Sequence, residues 1–113
     1  MDFKDYQQQA LLTSSQPDSK EKAIAIWCMG LAGETGEAID YLKKVVAHGH
    51  QLDKNKIALE LGDILWYLAV LAEELDLDLE AIATKNIEKL KARYPQGFSS
   101  ENSINRINTN SRN

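Results

Sequence analysis

"GLAGETGEAIDYLKK", residues 30–44, and "ELGDILWYL", residues 60–68, decide how this chain folds. Laid over each other from Glu34 and Glu60, they keep one offset throughout: Gly36 matches Gly62, Glu37 matches Asp63, Tyr41 matches Tyr67 and Leu42 matches Leu68. Both are helix patterns, with apolar residues at three- and four-residue intervals and no strand-like alternation. Each carries two acids three residues apart, which are neighbours on a helix surface. Glycine in a helix interior costs about 1 kcal/mol relative to alanine, so Gly30, Gly33 and Gly36 among these acids need a reason. The pattern suggests removal of side-chain bulk, so that a backbone or ligand can approach the acids closely.

Outward from this pair, the chain divides into helices. Phe3, Tyr6 and Ala10 share one face of a short helix over 2–13. Pro17 ends it, Asp18 is the expected cap of the next helix, and Glu21 completes a capping-box pattern. That second helix runs to Ala47 with Gly49 as its C-terminal cap, and its expected core stripe is Ile24, Cys28, Leu31, Ala38, Ile39, Leu42 and Val46. The third, capped by Asp53, places Ile57, Leu61, Ile64, Leu65, Leu68, Leu71 and Leu75 on its core stripe. Leu59, Trp66 and Val70 lie on its opposite side, and this second apolar face predicts a homodimer or homotetramer. A fourth helix, after Asp76 or Asp78, carries Ile82, Ile87 and Leu90 and stops before Pro95. The expected fold is an all-α four-helix bundle, one domain over 1–98. The Ser- and Asn-rich tail over 99–113 buries too little to order itself.

Composition narrows the function. A chain of 113 residues suffices for one hydrophobic core. A net charge of −4 offers no surface to a nucleic acid polymer. The single Cys28 cannot form an internal disulfide. No apolar run reaches the roughly 18 residues of a membrane span, and the N-terminus lacks a signal-peptide pattern. A cytoplasmic protein with no membrane partner is expected.

The acids carry the chemistry. If the second and third helices are antiparallel neighbours, Glu34, Glu37, Glu60 and Asp63 converge. Four carboxylates without a cation raise one another's pKa values and oppose folding. With one, they form an all-oxygen site of the kind magnesium takes together with phosphates, manganese being the natural substitute. Bundle di-iron sites need histidine within the paired motif, and neither pair has one. A solvated helix surface accounts for a single Glu-x-x-Glu; it does not account for two in the same frame.

These segments, followed by "HGH" at 48–50 and "NIEKLKARYPQGF" at 86–98, resemble the MazG-like nucleoside triphosphate pyrophosphohydrolases, an all-α superfamily. The likeness spans residues 24–98. It implies magnesium-dependent hydrolysis between the α and β phosphates, releasing nucleoside monophosphate and pyrophosphate, by an oligomer. By position, Glu34, Glu37, Glu60 and Asp63 become the metal ligands, with Glu34 or Glu37 serving the attacking water. Asn86, Lys89 and Arg93 form one polar stripe of the fourth helix, and the resemblance gives the lysine and arginine to phosphate. Tyr67 and Trp27 are candidates for stacking on the base. His48 and His50 follow a helix C-terminus, where the helix dipole already explains them. The rival readings are a phosphoribosyl-ATP pyrophosphohydrolase, a non-catalytic nucleotide- or metal-binding bundle, and a plain oligomerisation domain with surface acids.

Overall fold

A computed structural model describes residues 1–106, so the tail beyond Arg106 lies outside the described residues. Among the described residues there are five helices and no strand: α1 Phe3–Leu11, α2 Lys20–His48, α3 Lys54–Glu74, α4 Leu79–Arg93 and α5 Ser100–Asn105. They fall into two compact units, Met1–Leu79 and Glu80 onward.

Helix ends in the first unit follow their capping chemistry. Asp2 caps α1 by accepting from the Asp5 amide at 2.8 Å. Ser19, one residue beyond the expected Asp18, caps α2 by accepting from the Lys22 amide at 3.1 Å, while Asp18 pairs with the Lys22 ammonium. Gly49 ends α2 at φ 75°, a left-handed conformation that glycine adopts without a Cβ penalty. Asp53 then caps α3, accepting from the amides of Asn55 and Lys56.

The five-residue connection from Gly49 to Asp53 makes α2 and α3 an antiparallel pair. One register runs its whole length. Trp27 Nε1 donates to Glu74 at 3.1 Å, Gly30 faces the Tyr67 ring, and the Tyr41 ring faces Lys56. Around this pair the buried cluster is Ala10, Ala23, Trp27, Ala69, Val70 and Leu79, with Tyr6, Trp66, Tyr67 and Leu71 packed against it. Gln7, itself buried, ties α1 to the end of α3: its Nε2 donates to the Leu77 carbonyl at 2.8 Å, and its Oε1 accepts from the Leu79 amide at 3.0 Å.

The packed faces differ from those expected. Trp66 and Val70, assigned to a subunit interface, are covered within the chain: Val70 is 2% exposed and Trp66 Nε1 donates to Thr13 Oγ1 at 3.0 Å. Much of the expected α2 core stripe faces outward instead, with Ile39 60% and Val46 86% exposed. The reason is steric. The buried positions of α2 and α3 are mostly small residues, Ala23, Ala38, Ala69 and Ala72, beside Trp27 and Val70, and Gly30 leaves room for the Tyr67 ring. The bulkiest aliphatic stripe is a poor seam for close approach.

In the second unit, Ser99 caps α5 by accepting from the Asn102 amide at 3.0 Å. The Tyr94 and Phe98 rings meet at 5.2 Å, and the Tyr94 hydroxyl is hydrogen-bonded to Ser103. The start of the expected tail is therefore a short helix tied to the end of α4.

Candidate functional site

The antiparallel register crosses the two acid pairs. Ligand atoms of Glu34, Glu37 and Glu60 lie within 4.8 Å of one another. Asp63 joins them through a side-chain hydrogen bond with Glu34. Carboxylates this close repel one another when no cation is present, which favours the protonated form. Glu34 bears this effect. Its pKa is raised above the ordinary value, first by partial burial and then by the charges of Glu37, Asp63 and Glu60. Glu60 shows it another way: its Oε2 is buried with no hydrogen-bond partner. A buried acceptor left unsatisfied costs about 1–3 kcal/mol, and a cation would remove that cost. The donor set is all oxygen, which fits a hard divalent cation.

Neighbours of the cluster were not legible in the sequence. Tyr6 of α1 has its pKa raised by burial and, second, by the charge of Asp63, which places its phenol beside the cluster. Tyr41 staples the α2–α3 connection: its hydroxyl donates to the Gln51 carbonyl at 2.9 Å and accepts from the Asp53 amide at 2.7 Å. The Lys56 ammonium sits 4.5 Å from the centre of the Tyr41 ring, a cation–π contact. These residues could be found only after the register was known.

The glycines and aromatics are placed differently from expectation. Gly33, Gly36 and Gly62 border open space, and only Gly30 is filled, by the ring of Tyr67. A Cβ at Gly30 would collide with that ring. Tyr67 meets Trp66 edge-on at 5.0 Å, and Trp27 meets Trp66 edge-on at 5.9 Å. Trp27 is 4% exposed with its N–H on Glu74. As placed, Trp27 is a buried core ring, and Tyr67 is partly buried against the core. Asn86, Lys89 and Arg93 lie on α4 in the second unit, where the Arg93 guanidinium stands 5.9 Å from the Tyr94 ring.

Comparison with known proteins decides the family. The MazG nucleotide pyrophosphohydrolase domain matches residues 25–98. This chain is a MazG-family protein. The match contains α3, all but the first residues of α2, the whole of α4 and all four carboxylates. The chain is also 37% identical over 73 residues to the Gene 37 protein of Mycobacterium phage L5, an alignment covering 61% of this chain and 64% of that protein. The chain thus spans less than two thirds of the length of that relative. No solved structure matches the chain. Among the described residues no helix is long and apolar enough to cross a membrane.

Proposed function

We propose that this MazG-family chain is a magnesium-dependent nucleoside triphosphate pyrophosphohydrolase, cutting between the α and β phosphates. The observation that carries the reading is the convergence of Glu34, Glu37 and Glu60, with Asp63 hydrogen-bonded to Glu34. These four would hold the cation, magnesium or in its place manganese. When bound, the ion neutralises phosphate charge and lowers the pKa of a water.

The chain's own groups supply the rest. Glu34 and Glu37 sit on one face of α2, and either can accept the proton of the attacking water. The oxygen of that water bonds to the α phosphorus, the bond from that phosphorus to the bridging oxygen breaks, and pyrophosphate departs with the electron pair. Lys89 and Arg93, spaced along α4 with Asn86, are assigned to phosphate contacts on the family resemblance. The exposed aliphatics Ile39, Val46, Leu59 and Leu61 favour a homodimer or homotetramer that covers them, as apolar patches of this kind mark association surfaces.

The test is pyrophosphate release across ribo- and deoxyribonucleoside triphosphates, with and without magnesium. Turnover is expected only with the metal, and Glu37→Gln should remove it. Full activity in excess EDTA would overturn the reading. Metal-dependent binding without turnover would favour a sensor.

A further inference from the structure

Beside the carboxylates, the α2–α3 connection forms a cavity of about 360 Å3. Glu37 and Glu60 of the cluster line it together with Lys44, His50 and Lys56. Here the cluster shares a cavity with basic side chains, and the activity proposed above leaves those side chains without a task. The cavity is held in shape by Tyr41, which also lines it. Its hydroxyl fixes Gln51 and Asp53 of the connection, and its ring lies beneath the Lys56 ammonium. Asp40, the remaining acid here, is already paired with Lys43 at 3.3 Å and Lys44 at 3.0 Å. An ammonium has three donors, so Lys44 keeps donors for a further acceptor.

We propose that this cavity receives the pyrophosphate leaving group, with Lys44, His50 and Lys56 on its terminal oxygens and Glu37 and Glu60 on the cation it shares. The inference rests on the hydrolase reading above and deepens it. A polyphosphate held between a cation and ammonium groups has charge-assisted contacts on both sides. It also leaves the bond being broken beside Glu37, within reach of the carboxylates that serve the water. Without the cation, Glu37 and Glu60 repel the same anion, so pyrophosphate binding requires magnesium. Lysine and histidine here are binding groups for the product and for the departing phosphates; the proton from water goes to the carboxylates and then to solvent.

The experiment is calorimetric titration of the full chain with inorganic pyrophosphate in saturating magnesium, and with a nucleoside monophosphate as the comparison. Wild type is expected to bind pyrophosphate. Lys56→Gln and Lys44→Gln should each weaken it about tenfold or more, the scale of one lost charged hydrogen bond. Lys43→Gln, which does not line the cavity, should not, and Lys56→Arg should restore most of the loss. Monophosphate affinity should be unchanged in all four. Unliganded thermal midpoints equal to wild type show that the variants are folded. If Lys44→Gln and Lys56→Gln bind pyrophosphate as wild type does, the cavity assignment is wrong while metal-dependent turnover still supports the hydrolase. If wild type with magnesium binds no pyrophosphate, the assignment also falls, and turnover judges the hydrolase separately.

Discussion

The two ends of the α2–α3 pair share one register and do opposite work. Toward the start of α2 and the end of α3, Trp27, Trp66, Tyr67 and Val70 interlock, and the polar atoms of the two indoles find Glu74 and Thr13. Toward the start of α3, the same faces carry Glu34, Glu37, Glu60 and Asp63, whose charges raise the pKa of Glu34, and a carboxylate oxygen is left unsatisfied. One end is satisfied by the chain itself. The other is satisfied only by something added. Buried aromatic area can hold a helix pair together while a few residues away it carries repulsion, because packing is local and cooperative along the pair.

If the ends are separable, damage to the aromatic end should cost stability and leave the metal response. Trp27→Ala removes a buried ring and leaves Glu74 without its donor. It should lower stability by about 3–5 kcal/mol in urea unfolding. The rise in thermal midpoint on adding magnesium should persist in whatever fraction folds, since binding to the folded state stabilises by mass action. Loss of that rise along with the indole would show one coupled structure.

The glycines sharpen the same contrast with opposite signs. Gly30→Ala drives a methyl into the Tyr67 ring, and overpacking of this sort costs about 1–3 kcal/mol. Gly36→Ala meets open space at the acidic end and should stabilise by up to about 1 kcal/mol, the helix-propensity difference. Equal effects at both positions would mean that the ring does not rest on Gly30.

These residues also show what was readable before the structure. The helix order and ends were legible because caps and breakers are local signals: Gly49, Asp53 and Pro95 lie where they act. The acid pairs were legible because they occur twice in one frame. The packed faces were not. Ile39 and Val46 outrank Ala38 and Gly30 in hydrophobicity, yet the partner helix needs small residues to come close, and that choice belongs to the pair. For the same reason Tyr41 and Lys56, distant in sequence, could not be read as neighbours, and the ring of Trp27 could not be told from a free stacking face.

The smallest expected effect lies in the pH dependence of the metal-free protein. Glu34 keeps its proton in the folded state above 4.5, the pH at which the unfolded chain releases it. The folded state therefore binds more protons over that window, and stability falls as pH rises through it, up to the raised pKa of Glu34. Glu34→Gln should flatten this slope, and magnesium should reverse it by favouring the ionised carboxylate. Urea midpoints across the window measure both.

The central claim is that the four carboxylates between α2 and α3 form one divalent cation site. Calorimetric titration of magnesium into metal-free protein, with no nucleotide present, tests it most directly. The account predicts saturable binding in wild type that weakens on the order of tenfold or more in Glu37→Gln and in Glu60→Gln. Absence of binding in wild type, or equal affinity in wild type and both variants, would contradict it.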